Sequence, residues 1–332
     1  MSLPKSVFFL TDFYSAKKEQ IEPRLKIARY ANELGFEQFG GEFLFINPND
    51  VQNLKEQKKY GIKVKEKLDS LFDHTYFSLH APWFPPDKTA FEMGKKPFEN
   101  VQALLDFCPE FVEIINVHTG TIPFEYWDQK LKNNPQQKQK NLEIVKQQLE
   151  KLADTDDRIC VENLYTPVNK KYGTNYLANL PSDLAKMSEN PKIGITIDTA
   201  HAGMTIESCK RMVQNQKLFN GFFENEWNEI QSIAKNGPKE FTDLGEKIRH
   251  IHFSDFNFNT STIPKSTEDG AVPGLGVTPK KELFEWLEKL VIASEKKKIG
   301  VTLEIKEKKY DCLKNQEKTL EIIASHYGIE KN

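Results

Sequence analysis

The sequence predicts a single (β/α)₈ (TIM) barrel with extended loops after its strands. Short apolar runs alternate with longer amphipathic stretches along the whole chain, which is the pattern of repeated βα units around a parallel sheet. In the last six of these runs one face is apolar, whereas the other is small or polar. A closed barrel directs such a face inward, whereas an open doubly wound sheet would bury both faces in apolar residues.

Eight strands are predicted, with helices between them. The predicted strands are 6–11, 37–42, 75–80, 112–118, 158–162, 193–198, 249–254 and 300–305. Helical periodicity predicts helices at 18–35, 50–72, 98–107, 138–153, 181–189, 279–293 and 312–326. The helix after the seventh strand has a favourable start, because Pro279 at the first helical position loses no needed donor. This regular succession indicates βα units from end to end.

The length of 332 residues fits one barrel domain covering 1–332, because such barrels run from about 200 to over 400 residues. Long loops after strands often cover or build a site. Aromatic residues there could line a pocket for a sugar ring, and Lys170 and Lys171 could contact a phosphate, although a solvated loop explains them equally well. Three connections exceed what the barrel requires, and the last contains a predicted helical insertion at about 203–247: 81–100, 163–180 and 202–245.

Composition excludes several classes of protein. Lys and Arg number 46 against 48 Asp and Glu, and this net charge of −2 gives no overall electrostatic attraction for nucleic acid or an anionic membrane. The four cysteines lack CxxC spacing, which argues against a disulfide scaffold or a structural zinc knot. The apolar run 7–10 is too short for a signal peptide, and no apolar stretch is long enough to span a membrane. We therefore expect a soluble, cytoplasmic protein.

Acidic and imidazole side chains recur at the C-terminal ends of the predicted strands. Such groups are costly to bury unless they are paired or bind a metal, and a barrel brings its strand ends together at one mouth, where barrel enzymes place their chemistry. The pattern therefore predicts a metal site. Its candidates are His80, His118, Glu162, Asp198, His252 and Glu304, with His201 one helical turn beyond Asp198.

The motifs around these residues resemble the xylose-isomerase-like barrel superfamily. That superfamily includes sugar isomerases and epimerases, inosose dehydratases, hydroxypyruvate isomerases and apurinic endonucleases of the endonuclease IV class. The resemblance covers strands three to eight, and the N-terminal third matches only in its pattern, with an acid, Glu42, near the end of the second strand. The motifs are His80-Ala-Pro82, Val117-His118-Thr-Gly120, Val161-Glu162-Asn163, Ile197-Asp198-Thr-Ala-His201, His250-Ile-His252-Phe-Ser-Asp255, Gly274-Leu-Gly276 and Leu303-Glu304.

By this resemblance, the metal ligands are Glu162, Asp198, His252 and Glu304. Three carboxylates and one imidazole form a hard site that suits Mn²⁺, Mg²⁺ or Co²⁺, or Zn²⁺ if His80 and His118 are also ligands. The resemblance implies a metal-dependent sugar isomerase or epimerase that removes the proton α to a carbonyl and forms an enediolate. Glu162 and Glu304 would share the acid and base roles. His80, His118 and His201 would bind substrate or a second metal ion.

Two other enzyme classes stay open. An inosose-type dehydratase, a lyase, would use the same ligands and an equivalent proton abstraction. A zinc-dependent phosphodiesterase like endonuclease IV would use His80 and His118 for a second ion bridged by Glu162. That class also needs a third ion, and the segment 255–278 contains no histidine for it. A barrel that binds a ligand without turnover is disfavoured by the presence of both glutamates.

A small sugar-like substrate is therefore the expected partner, and nucleic acid is disfavoured. The oligomeric state stays open, a homo-oligomer included. Four further residues have structural interpretations. His250 and His74 are predicted to be hydrogen-bonded core residues, and His326 is predicted to lie on the surface. Asp255 either orients His252 or caps a loop.

Overall fold

The computed structural model describes residues 3–14, 21–45, 54–81, 101–105, 108–119, 122–165, 168–169, 173–215, 222–257, 268–309 and 312–331. Eight parallel strands close into a barrel, in which each strand pairs with its neighbours in chain order and the first pairs with the last. This confirms the predicted (β/α)₈ barrel. The strands are β1 Val7–Tyr14, β2 Gln38–Leu44, β3 His74–His80, β4 Ile114–Val117, β5 Ile159–Glu162, β6 Gly194–Asp198, β7 Ile248–His252 and β8 Ile299–Thr302.

Helices surround this barrel, and most of them begin and end within a few residues of the predicted bounds. Residues 101–105 are also helical. None of the described helices is both long enough and apolar enough to cross a membrane. The main helices are α1 Ile21–Glu33, α2 Leu54–Asp69, α3 Pro135–Thr155, α4 Pro181–Met187, α5 Thr199–Gln214, α6 Trp227–Asn236, α7 Lys280–Ser294 and α8 Lys314–Tyr327.

The two faces of the strands differ in polarity as predicted. Outward residues such as Ile197 and Val301 are fully buried in a large apolar core between the barrel and the helices. A much smaller apolar cluster, which includes Tyr76 and Cys160, fills the inside of the barrel. Polar and ionisable side chains occupy the rest of the inner face, so the apolar burial that stabilises the fold lies mainly outside the barrel.

The segment between β6 and β7 contains α5, α6 and the short helix Lys239–Thr242. A buried ammonium joins this region to the rest of the ring of helices. Lys138 of α3 lies 2.9 Å from Asp183 Oδ2 of α4 and also pairs with Glu226, which precedes α6. The other two long connections, 81–100 and 163–180, fall partly outside the described residues. Lys170 and Lys171 lie outside them.

Candidate metal and catalytic site

Four of the predicted site residues meet at the C-terminal mouth of the barrel. Glu162, Asp198 and His252 are the last residues of β5, β6 and β7, and Glu304 follows the end of β8 by two residues. One ligand atom from each of the four lies within 4.8 Å of the others. Adjacent parallel strands place their ends side by side, so residues more than a hundred positions apart share one small volume.

The imidazole of His252 is at the centre of this quartet. Its Nδ1 lies 3.2 Å from Glu304 Oε1, 3.4 Å from Glu162 Oε2 and 4.0 Å from Asp198 Oδ2. His252 is fully buried, whereas the Glu304 side chain is 28% exposed. The quartet is therefore closed towards the barrel interior and open on the side of Glu304.

The donor set fits a divalent cation. Glu162 Oε1, Asp198 Oδ2 and His252 Nδ1 are buried and have ion-pair neighbours at 3.2 to 4.0 Å, but none of the three atoms forms a hydrogen bond within the described structure. Buried polar atoms normally have hydrogen-bond partners, and leaving them without one costs free energy. Three carboxylates and one imidazole match the preferences of Mn²⁺, Mg²⁺ or Co²⁺. A shared cation would satisfy all three atoms at once.

Two neighbouring carboxyl groups of this site have pKa values that are shifted in opposite directions. Burial, together with the charges of Glu304 and Glu162, raises the pKa of Asp198 well above its usual range. Burial alone would also raise the pKa of Glu162, but the imidazoles of His118 and His252 outweigh it and hold that pKa well below its usual range. Neighbouring carboxyl groups with opposite shifts are typical of sites that handle protons.

His80 and His118 form a second group around Glu162. His118 Nε2 lies 3.1 Å and His80 Nε2 lies 3.4 Å from Glu162 Oε2, and the two Nε2 atoms are 3.1 Å apart. Ligand atoms of His80, Glu162 and His252 also lie within 4.8 Å of one another. His80 and His118, which are predicted to bind substrate or a second metal ion, thus lie next to the quartet. Glu162 belongs to both groups.

His201 reaches the site from the first turn of α5. Asp198 caps this helix, accepting a 2.7 Å hydrogen bond from the His201 backbone N–H. The ring Nδ1 of His201 lies 3.2 Å from Glu162 Oε1, while its Nε2 lies 3.6 Å from Asp269 Oδ2. Tyr165 packs on the ring at a centroid distance of 4.8 Å. His201 therefore connects the buried carboxylates to the rim of the barrel.

Sequence reasoning left three neighbours of this site without a role. Asn116, on the inner face of β4, donates a hydrogen bond to Glu162 Oε2. Glu42 of β2 lies 3.3 Å from His252 Nε2. Asp269 contacts His201 from the short strand Glu268–Ala271. The inward parity of Asn116 and Glu42 was visible in the sequence, whereas nothing in the sequence indicated the fold of the loop that carries Asp269.

The structural interpretations have mixed outcomes. His250 is fully buried and lies 2.9 Å from Thr302 Oγ1, which confirms a hydrogen-bonded core residue. The same prediction for His74 is wrong, because this residue is exposed at the start of β3. His326 is half-buried, since it packs on Phe284 and contacts Glu288.

Asp255 caps a loop and does not orient His252. Its carboxylate accepts hydrogen bonds from four backbone N–H groups, at distances of 2.8 to 3.2 Å. A side chain at Gly276 would sit 2.6 Å from the Asp255 carboxyl carbon, so the loop can wrap this closely around the acid because a glycine stands there. The donors are Phe256, Gly274, Gly276 and Thr278.

Several proteins of known structure are similar to this chain. A D-tagatose 3-epimerase-like protein of known structure shares 16% identity, covers 97% of each chain and superposes with a TM-score of 0.58. Endonuclease IV from Thermus thermophilus shares 13% identity over 96% of this chain and 99% of its own, with a TM-score of 0.46. A sugar phosphate isomerase/epimerase from Parabacteroides distasonis shares 12% identity over 97% of each chain, with a TM-score of 0.45.

At 16% identity, the likeness to the D-tagatose 3-epimerase-like protein shows the fold alone. A search among curated proteins finds no match. The family described as xylose isomerase-like TIM barrel matches residues 28–325, which is most of the chain. This chain belongs to the xylose isomerase-like TIM barrel family.

Proposed function

We propose that this protein is a divalent-metal-dependent isomerase or epimerase of a small polyhydroxylated carbonyl compound, acting by removal of the proton α to the carbonyl. The observation that carries the proposal is the quartet of Glu162, Asp198, His252 and Glu304, whose ligand atoms lie within 4.8 Å of one another at the barrel mouth. Family membership supports the same class of chemistry.

The quartet would hold the metal ion. Mn²⁺, Mg²⁺ or Co²⁺ suits its donors, and such an ion, when bound, stabilises the negative charge that a carbonyl and its neighbouring hydroxyl develop as the α-proton leaves. Asp198 and His252 are fully buried, and each is fixed by its neighbours. The Asp198 backbone N–H donates a 2.6 Å hydrogen bond to Asn163 Oδ1, and Asn163 Nδ2 donates to the Asp198 carbonyl oxygen.

The two glutamates would move the protons. Glu162 is buried at the end of β5 and accepts a hydrogen bond from Asn116, whereas Glu304 stands on the β8 side with 28% of its side chain exposed. Epimerisation requires one group to take a proton and another to return one. Two carboxylates carried by different strands meet that requirement, because a bound substrate can present a different side to each.

Polar groups at the rim would bind the substrate hydroxyls. Asp269 lies between His201 and Lys306, at 3.6 Å from His201 Nε2 and 3.2 Å from Lys306 Nζ. Tyr165 offers an aromatic surface beside His201. Sugars are commonly held by such a combination of directional hydrogen bonds and a flat apolar surface. This rim therefore suits a sugar-like molecule better than an apolar one.

Incorporation of deuterium from heavy water tests the proposal most directly. The purified protein is incubated with Mn²⁺ and a panel of ketoses, aldoses and inososes, and the products are analysed by NMR. Incorporation at the carbon next to the carbonyl, without loss of water, is expected. Incorporation accompanied by loss of water would identify a dehydratase instead. Absence of exchange with every compound would contradict the proposed chemistry.

A two-ion phosphodiesterase is the second candidate, and the group of His80, His118 and Glu162 favours it. Two-metal sites stabilise both oxygens of an in-line displacement at phosphorus. Elemental analysis of the purified protein separates the two candidates, because one manganese or magnesium ion per chain fits the isomerase and two zinc ions fit the phosphodiesterase. Cleavage of abasic duplex DNA without any deuterium exchange would decide for the second candidate.

A further inference from the structure

Glu42 lies on the inner face of β2, behind the quartet as seen from the barrel mouth. It is fully buried, and among the described residues its ion-pair contacts are His250 and His252. Ser78, its neighbour in β3, donates a 2.9 Å hydrogen bond to Glu42 Oε1. A buried carboxylate is costly unless its surroundings stabilise the charge. The imidazole nitrogens within reach are His252 Nε2, at 3.3 Å, and His250 Nε2, which is 3.4 Å away and lies closer to Thr302 Oγ1, at 2.9 Å.

The two ring nitrogens of His252 face two different sets of carboxylates. Nε2 lies 3.4 Å from Glu42 Oε1 and 3.3 Å from Glu42 Oε2. Nδ1 faces away from Glu42, at 3.2 Å from Glu304 and 3.4 Å from Glu162. A neutral imidazole carries one N–H and one lone pair. If Nε2 donates to Glu42, the lone pair of Nδ1 is directed at the centre of the quartet.

The ring has little freedom to turn away from this arrangement. His252 stacks on His80 with ring centroids 5.7 Å apart and meets His250 edge-on at 5.3 Å. His250 in turn stacks on Tyr76. A side chain at Gly300 would sit 2.5 Å from the Tyr76 ring and 2.7 Å from the His250 ring, so the absence of one leaves the room that these rings occupy.

We propose that Glu42 is a positioning residue that keeps the proton of His252 on Nε2 and thereby presents Nδ1 to the metal ion. This inference rests on the proposed function only in assuming that the quartet binds a cation. Carboxylates that accept a hydrogen bond from a metal-bound imidazole fix its tautomer and raise its basicity, and their loss typically costs about 10- to 100-fold in metal affinity.

Metal affinity of a Glu42→Leu variant is the central measurement. The metal-free wild type and variant are titrated with Mn²⁺ by calorimetry, and we expect the dissociation constant of Glu42→Leu to rise by about 10- to 100-fold. Glu42→Gln keeps an acceptor but loses the charge, so its affinity should lie between the two. Should Glu42→Leu fail to fold, Glu42→Gln alone decides, because unchanged affinity in that variant would overturn the role of the charge.

A spectroscopic measurement reports on the ring itself. The chain has seven histidines, so protein labelled with ¹⁵N-histidine and loaded with diamagnetic Zn²⁺ gives few signals, and those of His252 are assigned by their loss in His252→Asn. We expect a slowly exchanging Nε2 proton in the wild type and a faster exchange in Glu42→Gln. A ring that coordinates through Nε2 would overturn the inference.

Asp183→Asn is the matched control, because Asp183 is also a buried carboxylate but belongs to the distant Lys138 cluster. It should leave the Mn²⁺ affinity unchanged, whatever it does to stability. Wild-type affinity in Glu42→Leu would overturn this inference and leave the proposed function intact. A wild type that binds no divalent ion would overturn both, whereas metal binding without isomerase activity would overturn the proposed function alone.

Discussion

Glu304 differs from the other members of the quartet in its exposure. Its side chain is 28% exposed, whereas those of Glu162, Asp198 and His252 are at most 1% exposed. Burial by itself would raise the pKa of Glu304, but the nearby imidazole of His252 lowers it below its ordinary value. Glu304 is thus an ionised carboxylate that a substrate entering the barrel mouth would meet.

Replacing Glu304 by glutamine should therefore abolish most of the proton transfer to and from the substrate, with little effect on folding stability. The amide oxygen can still contact a cation, but it cannot accept or return a proton at neutral pH. We expect the rate of deuterium exchange at saturating Mn²⁺ to fall about 10²- to 10⁴-fold, with an unchanged melting temperature.

Glu307→Gln is the control for this variant. Glu307 accepts a hydrogen bond from the Gln316 backbone N–H and lies outside the quartet. Its replacement should leave the exchange rate near that of the wild type. If Glu304→Gln retained full exchange, Glu304 would have no role in proton transfer.

At the scale of elements, the loop before α7 is organised by one side chain. Asp255 accepts four backbone hydrogen bonds and so holds the segment from Gly274 to Thr278 beside the end of β7. Bonds from backbone N–H groups to an ionised carboxylate are stronger than bonds between neutral groups. One residue therefore sets the shape of the loop that leads into α7.

Asp255→Ala should loosen this loop. Its four donors lose their acceptor, and we expect the free energy of unfolding to fall by about 1–3 kcal/mol. Hydrogen exchange followed by mass spectrometry should show faster exchange in peptides that contain Gly274 and Gly276. Asp243→Asn, which alters an exposed carboxylate, is the control. Unchanged exchange at Gly274 and Gly276 would contradict the capping role.

The elements of this fold were largely predictable because their signals are local. The last six barrel strands each carry one apolar face and one small or polar face, and each predicted strand overlaps an observed one. Parity also indicated which side chains point inward, so the approach of Glu162, Asp198, His252 and Glu304 could be anticipated from topology. Local patterns predict the strands, and the barrel topology then determines which strand ends lie side by side.

Contacts that depend on irregular loops could not be predicted in this way. The sequence is compatible with two roles for Asp255, and only the path that brings Gly274 and Gly276 back to its carboxylate distinguishes them. The contact of Asp269 with His201 depends on the path of the same connection. The prediction for His74 is wrong because β3 begins at that residue, so its side chain is exposed at the N-terminal end of the strand.

At the scale of the whole molecule, one buried cation joins three parts of the helical layer. Lys138 is 1% exposed and pairs with Asp183 and Glu226, which belong to segments separated by more than forty residues. Burial disfavours the ammonium charge, but the two carboxylates outweigh it and raise the pKa of Lys138. The lysine therefore stays charged in the folded protein.

Lys138→Met should destabilise the protein strongly, because it leaves two carboxylates buried without their cation. We expect a loss of about 3–5 kcal/mol in the free energy of unfolding, measured by urea denaturation. Lys239→Met removes an ammonium from an exposed pair with Asp243 and should leave the midpoint unchanged. Equal urea denaturation midpoints for Lys138→Met and Lys239→Met would show that the buried cluster stabilises the fold no more than an exposed ion pair does.

Asp183 gives this cluster a defined dependence on pH. Burial raises its pKa from 3.8 to about 6, even though Lys138 lies nearby. Because the folded protein holds this proton more tightly than the unfolded chain, the contribution of Asp183 to stability is fully present below pH 3.8, falls as the pH rises towards 6 and is constant above it. The expected sign is thus opposite to that of an ordinary salt-bridged aspartate.

Asp183→Asn isolates this contribution, since the amide does not titrate. The free energy of unfolding of wild type and variant is measured by urea denaturation across the acidic range, with chelator present so that metal binding does not contribute. The wild type should gain stability relative to Asp183→Asn as the pH falls from about 6 towards 4. A difference that stays constant, or that grows with rising pH, would show that Lys138 and not burial controls the titration of Asp183.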